Sequence, residues 1–436
     1  MSIELLTLCL ILSVFLVFVT GLPVAFSLGS VSMLFTIFLW GPHSLQLITH
    51  AALGSMTSFM LVAIPLFILM GNILERSGLA ETLFKMVYLW MGPVKGGLAI
   101  GTVVICTAMA AMVGVIGAGI VTMGVIALPS MLRRGYNKEL AMGAIMAGGA
   151  LGALIPPSVA MILYSSLGKL SIGKMFLGGI IPGLILSFLY MAFIWIKCYL
   201  NPSAGPALSS EETVTWRQKF AALRDSILPM ALIVLVLGSI FIGAATPTEA
   251  SAVGAFGAFL TTVFYRKFSW RMLKEACFRT LKLFSMVMWI LIGASCFSRF
   301  YMAMGAADLV KGLVTGSGIN PWLIIIGMQI SLIVLGMLME DYAIIMIAAP
   351  IYIPIVTALG FDPLWFGILF IINMQIAVLT PPYGFALFYM KGLSNEITMA
   401  QLYRSIIPFV PLQAVGLVLV MIFPKIALWL PGLMFE

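Results

Sequence analysis

Apolar runs of membrane-spanning length follow one another along almost the whole chain. Read at about 20 residues per crossing, they fall near residues 3–20, 22–40, 51–73, 139–166, 175–199, 226–245, 248–265, 283–304, 364–390 and 405–430. Inside a bilayer no water satisfies backbone N–H and C=O groups, so such runs fold as helices that bond within themselves. The composition leaves no solvent but lipid. Of 436 residues, 62% are hydrophobic and 9% charged, whereas soluble domains carry roughly 25% charge. The expectation is an all-α polytopic membrane protein in a lipid bilayer. The opening "MSIELLTLCLILSVFLVFVT" has no basic segment ahead of its apolar run, and it reads as a first spanning helix, not a cleaved leader.

Several chemistries lack their material. The two histidines, His43 and His50, and the five scattered cysteines show no ligand spacing, so neither a metal centre nor a disulfide framework is expected. The sequence has no HExxH, no GxSxG, no pair of mid-span aspartates and no GxxxxGK[ST]. That argues against an enzyme, against ATP hydrolysis and against an organic cofactor. Net charge is +8, but basic residues concentrate in "WRQKFAALR" (216–224) and "YRKFSWRMLKEACFRTLK" (265–282). Connecting segments of this kind mark the cytoplasmic side of membrane proteins, and nucleic acid is not an expected partner.

Two apolar stretches, 97–130 and 321–358, are too long for one crossing and have soft centres, "VGVIGAG" (113–119) and "GMLMED" (336–341). They read as re-entrant helical hairpins. Around them runs an internal repeat. "PSMLRRGYN" begins at Pro129 and leads to a Pro-Pro pair at Pro156; "PIVTALGFD" begins at Pro354 and leads to a second pair at Pro381. The interval from Pro129 to Pro156 equals that from Pro354 to Pro381. Gly135, Tyr136 and Asn137 match Gly360, Phe361 and Asp362 in register, as Tyr164 matches Tyr389. The linker "RRGYNK" is basic and its mate "ALGFDP" is not, which puts the first in the cytoplasm and the second outside. Five crossings separate the starts of the two units, and an odd number inverts them. The same count puts the N-terminus in the periplasm. Two inverted repeats, each a hairpin plus a proline-broken helix, are the signature of secondary transporters. The chain divides accordingly into N-terminal scaffold helices (1–50), a first repeat (51–200, hairpin 97–130, broken helix 139–166), central scaffold helices and loops (201–282) and a second repeat (283–436, hairpin 321–358, broken helix 364–390).

The prolines fix where ions would bind. Proline lacks the N–H that a helix needs and clashes with the carbonyl four residues back. Breaks at membrane depth persist only where protein or a water-filled cavity covers the freed groups, and in transporters those groups ligate coupling ions and substrate. A first ion site would combine Gly114, Val115 and Gly117 of the hairpin tip with Gly152, Ile155, Pro156, Pro157 and Ser158. A second would combine Gly336 with Ala377, Thr380, Pro381, Pro382 and Tyr383. Carbonyl oxygens and a hydroxyl suffice for sodium, a hard cation, without a buried carboxylate.

Other polar groups admit two readings. Asp341 and Glu340, acids at membrane depth, could line a substrate cavity or cap a helix at a wet turn. Ser295, Ser298 and Arg299 could face that cavity, although membrane serines commonly bond across helices and an arginine at a helix end commonly snorkels to the interface. Thr246, Pro247 and Glu249 spell a capping box. Segments 74–96 and 391–404 are amphipathic and suit arms lying at the interface between a mobile core and a fixed frame.

These residues together bring a family into view. "PLFILMGNILERSGLAE", "RRGYNKELAMGAIMAGGALGALIPPSVAMILY", "ATPTEASAVGA" and "VLTPPYGFALF" resemble the large membrane subunit of tripartite ATP-independent periplasmic (TRAP) transporters, over nearly the whole chain. The resemblance implies an elevator-type, sodium-driven importer of a small organic acid anion in the bacterial inner membrane. It further implies two partners, a small four-helix membrane subunit and a soluble periplasmic substrate-binding protein. It places ion sites at hairpin tips and broken helices, with Thr380 and Gly336 carried over residue by residue. The chain departs from the family at the first tip, where Val113–Gly114–Val115 stands in place of the usual Ser-Gly-Ser, and at Ala377, where glycine is usual. The first departure leaves proton coupling, or one sodium fewer, open. A solute channel is the alternative from another class.

Overall fold

The computed structural model describes residues 2–207, 215–316, 318–382, 384–394 and 396–434. Among the described residues the regular structure is helical, with no strand. Six helices of 18 residues or more, Phe59–Arg76 and Trp270–Ala303 among them, are apolar enough to cross a membrane, again among the described residues. Ile3–Val19, Val24–Trp40, Pro321–Gly336 and Pro363–Leu379 are shorter apolar helices. Leu16, Phe38, Phe188 and Phe264 turn more than half their surface outward, as suits a molecule whose solvent is hydrocarbon.

The run 51–73, expected as one span, is two helices, with Leu45–Met56 ending before Phe59–Arg76 begins. Thr57 closes the first, its amide and its hydroxyl both donating to the Leu53 carbonyl at 2.9 and 2.8 Å. Pro65 lies in the opening turn of Ala63–Arg76, where its missing N–H costs nothing. The basic segment 265–282, expected as a connection, is mostly helix, because Trp270–Ala303 runs unbroken for 34 residues. Ser269 caps it by accepting from the Met272 amide at 3.1 Å. Glu275 ties its charged turn together, one turn from Arg271 at 3.1 Å and paired across to Arg76.

The helices around the two Pro-Pro pairs share one register. Ile116–Arg133 and Asp341–Ala358 are both 18 residues long. The helices that follow them start at Lys138 and Pro363. The step from Ile116 to Lys138 equals the step from Asp341 to Pro363, so the two copies keep the same spacing in structure as in sequence. Each of the following helices is capped by the residue before it: Asn137 Oδ1 accepts from Leu140 N at 2.9 Å and Asp362 Oδ1 from Leu364 N at 2.7 Å. Short side-chain acceptors there satisfy amides that the helix itself cannot. A helix precedes each hairpin, Leu79–Met91 and Ala306–Gly316. The second is not evident from the sequence, because Gly312 interrupts its short run.

At the centre, every residue from Leu364 to Leu379 is buried. A helix apolar and buried on all sides belongs to a core. The first hairpin packs on Lys138–Ala150 and the second on Pro363–Leu379. Beyond each break the chain crosses over. Val159–Gly168 packs on Asp341–Ala358, and Phe385–Lys391 packs on Ile116–Arg133. Phe59–Arg76 and Val24–Trp40 pack on Trp270–Ala303 beside this core, and Pro247–Phe264 packs on Phe59–Arg76.

Candidate functional site

The first break is built from backbone. Lys138–Ala150 tightens into the turn Leu151–Ala153 and stops, and a new helix starts at Val159. Pro156 and Pro157 have no N–H with which to continue it. Ser158 caps the restart, its Oγ accepting from Met161 N at 3.3 Å and donating to the Ala153 carbonyl at 2.5 Å. Against this break lies the first hairpin tip. Gly97–Val113 ends on Gly114 at φ +67°, a conformation that favours glycine, and a Cβ on Gly114 would fall on the carbonyl oxygen of Pro157. Val159 N donates to the Gly114 carbonyl at 3.4 Å. Gly152 faces the Val115 carbonyl oxygen, which a Cβ at 152 would meet at 3.0 Å.

The outcome is a set of carbonyls without donors around the break. Among the described residues, those of Val115, Gly152, Ile155, Pro156 and Pro157 accept no hydrogen bond. Gly152, Ile155, Pro156 and Pro157 are buried. Unpaired carbonyl dipoles away from water are costly, and a hard cation replaces the missing donors with oxygen ligation. Among the described residues there is no group of three or more His, Cys, Asp or Glu side chains fit to hold a metal.

The second break differs in detail. Pro363–Leu379 gives way to extended backbone at Thr380, whose hydroxyl donates to the Ile376 carbonyl at 2.5 Å and whose amide donates to Ala377 O at 3.1 Å. The hairpin tip approaches here too, and a Cβ on Gly336 would overlap the Ala377 methyl group. Thr380 and Pro381 are half-buried and Pro382 is exposed. Tyr383 lies outside the described residues. Glu340 and Asp341 stand at the start of Asp341–Ala358, where the helix dipole favours negative charge.

The remaining expected residues sit elsewhere. Ser295 and Arg299 turn toward Leu45–Met56: Ser55 Oγ donates to Ser295 Oγ at 2.7 Å, and the Arg299 guanidinium lies beside Gly54. Ser298 is buried on the same long helix, Trp270–Ala303. None of the three meets either break in these contacts. Gly117 is covered by the Tyr389 ring, which a Cβ there would meet at 2.7 Å. Tyr389 stands out in the sequence only as a repeat landmark.

Each tip borders a cavity. One of about 380 Å³ is lined by Val113, Val115 and Gly117 together with Glu75, Arg279 and Tyr389. Another, of about 620 Å³, is lined by Leu338, Met339 and Glu340 together with Phe385 and Trp289. In the sequence Arg279 reads as a topological charge and Glu75 as part of an arm, so neither points to a cavity by itself.

Comparison with known proteins agrees with this architecture. The family model described as "Tripartite ATP-independent periplasmic transporter, DctM component" matches residues 11–426. The C4-dicarboxylate TRAP transporter large permease protein DctM of Pseudomonas aeruginosa is 34% identical over 398 residues, covering 91% of this chain and 92% of that protein. The sialic acid TRAP transporter large permease protein SiaM of Vibrio cholerae is 29% identical, covering 95% of each. Among solved structures, the YdaH transporter of Alcanivorax borkumensis superposes with a TM-score of 0.66 over 97% of this chain and 100% of that one, at 14% identity. That likeness speaks to fold alone.

Proposed function

Because the chain belongs to the DctM component family of tripartite ATP-independent periplasmic transporters, we propose that this multi-pass secondary transporter moves a small carboxylate into the cell on a sodium gradient. It is a permease and not an enzyme. The observation that carries sodium coupling is the first break, where the buried Pro157 carbonyl meets Gly114 of the hairpin tip and, like those of Gly152, Ile155 and Pro156, has no donor among the described residues. Thr380 and the approach of Gly336 to Ala377 form the second half-site. A carboxylate substrate is supported by two relatives named for C4-dicarboxylate and sialic acid, both carboxylic acids. The hairpins and broken helices form the moving body of an elevator, and the helices gathered on Trp270–Ala303 form its frame. The chain works in the bacterial inner membrane with its N-terminus in the periplasm. A small four-helix membrane subunit completes the frame, and a periplasmic binding protein delivers the substrate.

One observation favours a second reading. Val113 and Val115 give the first tip no hydroxyl, and Asp341 at the second tip is a carboxylate that a proton could serve. Uptake into proteoliposomes containing both partners, with sodium, proton and voltage gradients imposed separately, decides between them. Saturable uptake on a sodium gradient alone is the expected result. Uptake that follows the proton gradient alone overturns sodium coupling, and non-saturable flux that ignores every gradient overturns the carrier.

A further inference from the structure

The cavity beside the first hairpin tip holds charge that backbone ion sites do not use. At about 380 Å³ it falls within the range of small-molecule pockets, about 300–1,000 Å³. Arg279 and Lys282 line one wall; one helical turn apart, they share a face. Facing them is the hairpin, with Gly117 and the Tyr389 ring. Glu75 stands between the two walls. Thr122 of the hairpin donates to Glu75 Oε1 at 2.8 Å, and Arg279 Nη1 is 3.8 Å from the same oxygen. A seated guanidinium–carboxylate bond is about 2.7–2.9 Å, so Glu75 is fastened to the hairpin and holds the arginine only loosely. Arg279 is 56% exposed while Glu75 is 14% exposed, which leaves the planar donor fork of the arginine turned to the open space. Lys282 is exposed and has no ion pair among the described residues.

We propose that this cavity is a carboxylate-binding vestibule on the cytoplasmic side, in which Arg279 and Lys282 hold the anionic substrate and Glu75 takes its place on Arg279 after it leaves. The assignment of the anion as substrate rests on the carrier reading above; the anion site itself does not. An arriving carboxylate offers the guanidinium two parallel hydrogen bonds, better than the single long contact with Glu75. Return of Glu75 to the arginine favours departure. Glu75 is a positioning residue in this scheme, and because Thr122 belongs to the hairpin, filling the vestibule leaves Glu75 on Thr122 and keeps a tie between hairpin and frame.

The electrostatics can be read without knowing the substrate. Val121, on the cavity wall and 37% exposed, is replaced by cysteine in the full chain with the exposed Cys277 replaced by serine. The protein is treated in inside-out membrane vesicles with anionic and cationic methanethiosulfonate reagents of similar size. The anionic reagent should react at least about tenfold faster, the lower end of electrostatic focusing in charged clefts. Arg279→Gln with Lys282→Gln should abolish that preference. Glu75→Gln should raise the anionic rate, whereas Thr122→Val, which frees Glu75 to turn to the arginine, should lower it. Succinate at millimolar concentration should slow the anionic reagent in the parent and not in the double glutamine variant. Equal rates for both reagents, a preference that survives the double substitution, or modification confined to right-side-out vesicles overturns the vestibule while leaving sodium-driven uptake intact. The converse result, an anion-selective cavity in a chain that carries out no gradient-driven uptake, overturns the carrier and leaves the site standing. Because opposite signs are expected from Glu75→Gln and Thr122→Val, either one that reaches the membrane suffices to test the role of Glu75.

Discussion

At the first break a bare Cα stands on each side, Gly114 of the hairpin on the Pro157 carbonyl and Gly152 of the broken helix under the Val115 carbonyl; at the second it is the hairpin's, where Gly336 lies on the Ala377 methyl. Gly152 and Ala377 are register partners, each standing one helical turn before its Pro-Pro pair. What the two regions share is therefore a close approach of backbone to backbone, and either partner can give up the side chain that would prevent it. They differ in closure. Pro156 and Pro157 are buried, whereas Pro381 is half-buried and Pro382 exposed; Tyr164 is buried and its partner Tyr389 is exposed. Enclosure strengthens any interaction between a carbonyl and a cation, since less water competes. In the proposed ion sites the first break therefore offers drier ligands than the second, and each has a hydroxyl beside its carbonyls, Ser158 in the first and Thr380 in the second.

Three tests press on this comparison, from the largest expected effect to the smallest. Gly114→Ala puts a methyl group on the Pro157 carbonyl at a left-handed φ of +67°, and strain and overlap together should cost about 3 kcal/mol. Its register partner tolerates more: Met339→Leu should cost under about 1.5 kcal/mol. Thermal unfolding in detergent measures both, and equal losses would erase the distinction between the tips. Gly336→Ala should cost about 2 kcal/mol through overpacking against Ala377, and adding Ala377→Gly should restore stability to within about 0.5 kcal/mol. A double variant no better than the single one would show that contact with Ala377 is not what requires glycine at 336. Thr380→Val removes a hydroxyl from the second break and should raise half-saturating sodium roughly tenfold, about 1.4 kcal/mol. Unchanged sodium dependence of uptake in that variant would remove Thr380 from the ligand set.

Much of this is legible in the sequence because it depends on groups that a residue carries or lacks. Pro156, Pro157, Pro381 and Pro382 have no amide, so the breaks fall where they stand. Asn137 and Asp362 carry short acceptors and cap the next helices. The capping box of Thr246 and Glu249 forms as its spacing predicts. What is not legible depends on partners far away in the chain. Ser295 could serve a cavity or another helix, and only the placement of Ser55 opposite it decides. The basic segment 265–282 reads as a connection until Glu275 is seen pairing with both Arg271 and Arg76. Glu75, Thr122 and Arg279 come from three separate stretches, and no local pattern announces their meeting.

The crossing-over beyond each break has a mechanical consequence. Val159–Gly168 rests on the second hairpin and Phe385–Lys391 on the first, so the two halves are clasped like the fingers of two hands. Neither half can be drawn away without unlacing the other. A chain built this way yields as one body under heat or force, and whatever grips one clasp is felt at the other.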